Sequence, residues 1–318
     1  MRVAIIGAGR MGEAHAEAWS ALAPEAEVVA VVGRREPATL LAAPGAPGTT
    51  DLEGVLADPA VDLVSICTPT GTHLDLAARA LAAGKHVLLE KPLALTVADG
   101  ERLVELGRRA GPMLMVAHVV RFFPGYAAVR ELVELGRLGA LREVRADRLA
   151  PADGRPAWLD DETRSGGFLL DLAVYDFDQL LLLLGPARRV EARHAADGTA
   201  EVTVQHTGGG VGRVRAGWDL PPSFPFTTLL EVTGERGSAR YAAAAGGRSE
   251  LVVDAAAGSS RTRVDPGAPY TAQARAFLEC IRSGTPPVHG DPAASLAAVR
   301  LALAAREALA SGAPVDLG

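Results

Sequence analysis

Short, mostly apolar runs recur over the first 118 residues: Val3 to Ile6, Val28 to Val32, Leu63 to Cys67, Val87 to Leu89 and Met113 to Ala117, with runs such as Val-Ala-Ile-Ile and Val-Val-Ala-Val-Val apolar throughout. Runs without polar alternation are the mark of strands covered on both faces. Segments with helical spacing lie between them: Met11 to Ala21, Leu52 to Ala57, Thr72 to Ala83 and Val97 to Ala110. Strand–helix alternation of this kind predicts a parallel sheet. The pattern changes near residue 118. A helix over Tyr126 to Glu134 precedes an alternating strand at Leu141 to Leu149, and a second helix is predicted over Asp171 to Leu184. Strand-like segments follow at Val190 to Arg193, Ala200 to His206, Gly212 to Trp218, Leu229 to Thr233, Ser238 to Tyr241 and Leu251 to Val253. Glycine- and proline-rich turns separate them, which predicts a largely antiparallel sheet. Helices at Thr271 to Ser283 and Pro292 to Leu309 close the chain. The expectation is an α/β protein of two domains. Residues 1–118 form a parallel-sheet domain, and 119–290 form an α/β domain with a large, mostly antiparallel open sheet. The closing helix 292–309 is expected to pack back on the first domain.

Composition narrows the function classes. At 48% hydrophobic over 318 residues the chain can bury a sizeable core. A net charge of −6, with no basic stripe interleaved with aromatics, argues against nucleic acid as a partner. The apolar runs fall short of the roughly 20 residues of a membrane span. No charged segment followed by an apolar one opens the chain, so a cytoplasmic location is expected. Cys67 and Cys280 are far apart in apolar contexts and read as buried free thiols in a reducing compartment. No cluster has metal-ligand spacing, so no metal is expected.

The sharpest motif is Gly7-Ala8-Gly9-Arg10-Met11-Gly12, which follows a strand and opens a helix. In that context G-x-G-x-x-G marks a Rossmann domain. Gly7 allows the tight turn, Gly9 lets the backbone approach a pyrophosphate, and Gly12 lets helix and strand pack closely. The helix N-terminus, with Arg10 and Met11, offers amide donors and a partial positive charge to the phosphates. The second strand of such a domain usually ends in an acid that holds the ribose of NAD. Here Gly33 stands in its place and Arg34 and Arg35 follow. Two guanidinium groups suit a 2′-phosphate, so NADP(H) is favoured over NAD(H). Glu36 keeps a route to the ribose open for NAD.

Ligands of open α/β sheets bind beyond the carboxyl ends of the strands. Thr68-Pro69 stand at one such end, with His73 opening the next helix, either to line the nicotinamide site or to pack. Glu90, Lys91 and Pro92 leave another buried strand, placing a lysine at the crevice. His118 and Arg121, at the domain junction, are candidates to meet a polar substrate, with a structural role for His118 equally open. In Asp171-Leu-Ala-Val-Tyr175-Asp176-Phe-Asp178, the residues Asp171, Tyr175 and Asp178 share one face of the predicted helix, while Asp176 falls off it and reads as solvent-exposed. A core tyrosine with its hydroxyl on a carbonyl is the plain alternative for Tyr175.

GAGRMG, CTPTGTH, EKP, AHVVRFFP and SGGFLLDLAVYDFDQLLLLLG together resemble the Gfo/Idh/MocA oxidoreductase family, with later echoes in LLEVTGERGSAR and the closing helix. The resemblance covers essentially the whole chain. It implies a Rossmann domain followed by an α/β domain whose open sheet forms the interface of a homo-dimer or homo-tetramer. It also implies hydride transfer on a sugar, a polyol or a related carbonyl compound, with Lys91 and Asp171 at the catalytic positions. Tyr175 stands where many members carry histidine; a branch with tyrosine there tends to use NADP. A free tyrosine has a pKa about three units above neutrality, and a nearby ammonium lowers it. Tyr175 is therefore expected to move the proton with Lys91 as its electrostatic partner and Asp171 orienting. Two other readings stay open: a trans-dihydrodiol-type dehydrogenase, and a cofactor-binding regulator that has lost its chemistry.

Overall fold

The five apolar runs of the first third become strands of one parallel sheet in the computed structural model, which describes residues 1–35, 39–256 and 258–317. In chain order the elements are β1 (Arg2–Ile6), α1 (Arg10–Ser20), β2 (Glu27–Val32), β3 (Gly48–Thr49), α2 (Leu52–Ala57), β4 (Leu63–Ile66), α3 (His73–Ala82), β5 (His86–Leu89), α4 (Val97–Arg109) and β6 (Leu114–Val116). The sheet runs β3-β2-β1-β4-β5-β6, with every pair parallel. The order reverses between β1 and β4, so the ends of these two strands flank the crevice where ligands of such sheets bind. β1 and β4 are buried along nearly their whole length, as strands covered on both faces are. The edge strand β3 was not visible in the sequence, since a two-residue Gly-Thr strand has no periodicity.

Two units divide the chain: Met1–Phe122 with Ala268–Leu296, and Phe123–Gly267 with Ala297–Gly318. The division differs from the sequence boundaries in two places. The helix at Pro269–Ser283 belongs to the first unit, because Ala274 and Phe277 join the core built on Val3, Ile5, Trp19 and Leu22. Trp19 and Phe277 are completely buried there, each side chain contributing roughly 2–3 kcal/mol of hydrophobic stabilisation. The closing helix, Pro292–Ser311, starts in the first unit, where Leu296 packs on Gly100, and from Ala297 onward groups with the second. Its alanine-rich periodicity carries no information about which neighbour it takes.

The second unit contributes α5 (Pro124–Glu134), β7 (Leu141–Pro151), the one-turn α6 (Glu162–Ser165), α7 (Gly167–Asp171), α8 (Val174–Leu184), β8 (Ala187–His194), β9 (Ala200–His206), β10 (Val211–Leu220), β11 (Thr227–Gly234), β12 (Gly237–Ala244), β13 (Glu250–Ala255) and β14 (Gly258–Arg263). Near the C-terminus β15 (Val315–Asp316) adds an edge. Its sheet is ordered β14-β13-β12-β11-β7-β10-β9-β8-β15. All pairs are antiparallel except the central β7–β10 pair. β9 alternates buried and half-buried positions without exception. One face of the sheet lies under α7 and α8, with Leu180 seated over Gly212. The other face carries Glu143, Arg145, Glu201, Arg213 and Arg215, which line an open groove of about 580 Å³.

Candidate active site

In the first unit the glycine loop is shaped by backbone contacts. Gly7 has φ +111°, and a Cβ there would lie 2.6 Å from the Cys67 carbonyl oxygen. A Cβ on Gly12 would stand 2.0 Å from the Gly7 oxygen. Gly9 meets nothing within 4 Å. The first and third glycines are thus demanded by packing, while the second leaves open space at the N-terminus of α1. Gly9 caps that helix with no side-chain hydrogen bond, so no side chain of the cap competes for the first-turn amides. A cavity of about 630 Å³ opens there, lined by Ala8, Gly9, Arg10, Glu13 and the Thr39–Leu41 stretch. Its far wall is fastened by Glu13, whose carboxylate accepts from the Leu41 and Ala42 amides at 3.0 and 2.5 Å. The bare backbone, the free amides and the room above them fit a dinucleotide pyrophosphate. At the end of β2, Gly33 bonds Thr49 across to β3, and Arg34 and Arg35 are exposed. Glu36 lies outside the described residues.

The strand-end residues are tied together. Thr72 Oγ1 donates to the Pro69 carbonyl and shares a hydrogen bond with Thr68 Oγ1, at 2.7 Å each. His73 is 1% exposed, its ring held between the Pro92 and Thr68 carbonyls at 3.0 and 3.1 Å. Burial lowers its pKa, so the ring is neutral and donates to one carbonyl at a time. The Lys91–Pro92 peptide is cis. Lys91 is half-buried, and its amide donates to Glu90 Oε2 at 3.0 Å. Glu90 is itself buried, its Oε1 2.9 Å from His15 Nε2. His118 and Arg121 are buried after β6, and Arg121 Nη1 donates to the Val288 carbonyl.

His15 was missed by sequence reasoning, because a histidine in the second turn of a helix reads as packing. A second unused signal concerns Lys91. Only two of the 32 cationic residues are lysines, Lys85 and Lys91. Lys85 is spent on the Asp58 and Val61 carbonyls at 2.7 and 2.8 Å. In so arginine-rich a chain, a lysine at a strand end stands out, since a compact ammonium and a guanidinium are not interchangeable.

In the second unit the predicted helix Asp171–Leu184 is broken. Asp171 ends α7, a turn at Leu172–Ala173 intervenes, and Tyr175 stands in the first turn of α8. Asp171 and Tyr175 are both half-buried. One reading needs correction. Asp176 is not solvent-exposed: it is fully buried and takes a bidentate pair from Arg148 at 2.8 and 3.0 Å. Asp178 is buried as well, 3.4 Å from Gln179 Nε2. The physical reason is a cation from β7 that the helix sequence alone does not reveal. Arg148 also donates to the Tyr126 hydroxyl at 3.2 Å and stands 5.1 Å over the Tyr175 ring. Burial pushes the Tyr126 phenol up to about 12. Burial works against the Arg148 charge, but the Asp176 carboxylate outweighs it and raises the guanidinium pKa. Arg155 bonds Asp160, Asp219 and the Trp218 carbonyl and lies 4.7 Å over the Trp218 ring. Cys67 and Cys280 are free and half-buried. Among the described residues no group of three His, Cys, Asp or Glu is placed to hold a metal, and no helix is long and apolar enough to cross a membrane.

Residues 1–118 match the family model described as "Oxidoreductase family, NAD-binding Rossmann fold", and 126–240 match the "GFO/IDH/MocA C-terminal domain". An inositol 2-dehydrogenase of Rhizobium meliloti is 36% identical over 187 residues, which is 58% of this chain and only 55% of that protein. A 1,5-anhydro-D-fructose reductase of Ensifer adhaerens is 31% identical over 283 residues, covering 85% of this chain and 84% of the relative. The crystal structure of an oxidoreductase domain protein from Kribbella flavida superposes with a TM-score of 0.87 at 26% identity, over 99% of this chain and 98% of the other.

Proposed function

The chain belongs to the GFO/IDH/MocA family of NAD(P)-dependent oxidoreductases, and from that premise we propose that it transfers a hydride between NADP(H) and a carbon bearing a hydroxyl or carbonyl group in a sugar or polyol. The observation that carries the cofactor choice is the end of β2. Glycine replaces the usual ribose-binding acid, and two exposed arginines follow. A carboxylate there would repel a 2′-phosphate, whereas guanidinium groups attract it. NADPH should bind at least about tenfold tighter than NADH, and Arg34→Ala should close the gap. Equal affinities in the unaltered protein, measured by titrating cofactor fluorescence, would remove the NADP assignment.

The nicotinamide supplies or accepts the hydride when bound. The work left to the chain is to bind, orient and move a proton. In this reading Tyr175 donates its phenolic proton to the developing alkoxide and takes it back in the oxidative direction. The Lys91 ammonium polarises the substrate oxygen and favours the phenolate, and Asp171 orients the substrate. Thr68, Pro69 and Glu90 frame the nicotinamide end of the cofactor, while Gly7 to Gly12 hold its phosphates. His118 and Arg121 are assigned to the substrate side. The relatives that act on inositol and on an anhydro sugar by name support a sugar or polyol as substrate class.

We further assign the charged, uncovered face of the nine-stranded sheet to a homo-oligomer interface. Its mixed signs, with Arg213 bonded to Glu143 and Arg145 to Asp147, suit a self-complementary contact. Sedimentation equilibrium that gives a dimer or tetramer at low salt supports this, and a monomer at micromolar concentration refutes it. Two free cysteines suit a reducing cytoplasm.

A further inference from the structure

The helix that opens the phosphate cradle and the turn that carries Lys91 are joined by a buried bond that neither motif mentions. His15 lies on α1 one turn beyond Gly12, on the same helix face. Its ring is 1% exposed and reaches inward to two strand ends. Nδ1 meets Ser65 Oγ at 3.3 Å, and Nε2 meets Glu90 Oε1 at 2.9 Å. Ser65 Oγ is held in turn by the Trp19 indole N–H at 2.9 Å. The two oxygens of Glu90 are thus divided: one faces His15, and the other accepts the Lys91 amide at 3.0 Å. Glu90 is 4% exposed, so this charge-assisted bond is shielded from water. On the far side of the turn, His73 holds the Pro92 carbonyl. The backbone from which the Lys91 side chain departs is therefore fixed at its amide by one histidine system and just beyond by another.

We propose that His15 and Glu90 are positioning residues, which clamp the phosphate-binding helix to the Lys91 turn and so set where the Lys91 ammonium stands. The inference rests on the reading of Lys91 as part of the hydride-transfer site and deepens it. A displacement of about 1 Å at a reacting group costs on the order of a hundredfold in rate, so a clamp of this kind acts on turnover more than on cofactor affinity. It also fits the chemistry at both ends. A neutral substitute at position 90 with one donor and one acceptor cannot serve both partners, because the Lys91 amide and the His15 ring both offer protons to it.

The two lysines make the test clean. Protein labelled with ¹⁵N-lysine shows two lysine amides: Lys91, held by Glu90, and Lys85, held by the Ala80 carbonyl at 3.0 Å as an internal control. His15→Leu should speed exchange of the Lys91 amide by about tenfold or more, leave Lys85 unchanged, and lower turnover by about tenfold or more. The dissociation constant of NADPH should move less than about threefold. His15→Gln, which keeps a donor for Glu90, should recover most of both losses, and Glu90→Gln should fall between. If His15→Leu does not fold, the two glutamine variants decide the matter by the same order. Unchanged exchange at Lys91, equal acceleration at Lys85, or normal turnover despite a loosened Lys91 amide would each overturn the clamp. Lys91→Ala in the same assay separates the two readings. If it keeps turnover, the assigned role of Lys91 falls, and the amide measurement alone judges the clamp. If it loses turnover while His15→Leu keeps it, Lys91 stands and the positioning role falls.

Discussion

The phosphate cradle and the Tyr175 helix are both short segments of unusual composition, yet they are built in opposite ways. The cradle is made by what is absent: no Cβ at Gly7 or Gly12, where one would strike a backbone oxygen at 2.6 or 2.0 Å, and none at Gly9, where the space stays open. Its shape follows from the local chain. The Tyr175 helix is made by a residue brought from elsewhere. Arg148, on a strand 28 positions earlier, pairs with Asp176, bonds Tyr126 and stacks on the Tyr175 ring. A site whose geometry is backbone sterics can be read from six letters. A site whose electrostatics depend on a buried cation from another element cannot.

The contrast can be broken most sharply at Arg148. Arg148→Met strands the Asp176 charge in a dry interior and should cost about 3–5 kcal/mol, read as a shift in urea midpoint. Adding Asp176→Leu should recover much of the loss, since a well-packed apolar pair replaces a buried ion pair at little cost. If the single variant is as stable as the unaltered protein, the second site is not organised by its buried pair.

Next in size are the glycines. Gly12→Ala forces a methyl against the Gly7 carbonyl and should lower both stability and cofactor affinity, by about 1–3 kcal/mol in stability. Gly9→Ala meets no protein atom, so it should leave the melting temperature in place and weaken NADPH binding alone. Equal losses of stability in both variants would mean that the second glycine is structural and not a cofactor contact.

The remaining prediction concerns pH. Burial opposes the charge on His15, while its Cys67 and Glu90 neighbours push the imidazole up to about 10; burial also pushes the Cys67 thiol up, so near neutral pH the negative charge beside the ring is that of Glu90. Burial also opposes the Glu90 charge, and the His15 and Lys91 partners hold its pKa below the ordinary value. The raised His15 contributes stability that is complete below about 6.5, the value of a free imidazole, and is lost as pH climbs through about 10. The depressed Glu90 contributes stability above about 4.3 that is lost as pH falls. Denaturant titrations should therefore show a loss of stability from about pH 7 to 10 that shrinks in His15→Gln. An identical slope in both proteins would show that the ring is not charged in the folded state.

Much of the fold was legible because parallel strands buried on both faces write themselves as unbroken apolar runs, and because antiparallel ones alternate, as β9 does without exception. What escaped has physical reasons. Gly48–Thr49 is too short to carry a period, and β14 is exposed at every position, so it has no apolar face to display. The parallel β7–β10 pair arises from strands that are far apart in the chain. The break at Leu172–Ala173 lies inside an apolar stretch with no proline, and the helix pattern runs through it. For the site, Gly7, Gly12 and Lys91 were visible from local chemistry. Arg148, His15 and the burial of Asp176 were not, because a paired buried charge looks in sequence like a solvated one.

The central claim is that Tyr175 moves the proton during NADP-linked hydride transfer to a sugar or polyol. The most direct measurement is turnover of Tyr175→Phe beside the unaltered protein, followed by absorbance of the reduced nicotinamide across a sugar and polyol panel. The account predicts a loss on the order of a hundredfold or more in kcat, with NADPH affinity preserved. Near-normal turnover in Tyr175→Phe would contradict it and assign the ring under Arg148 to packing.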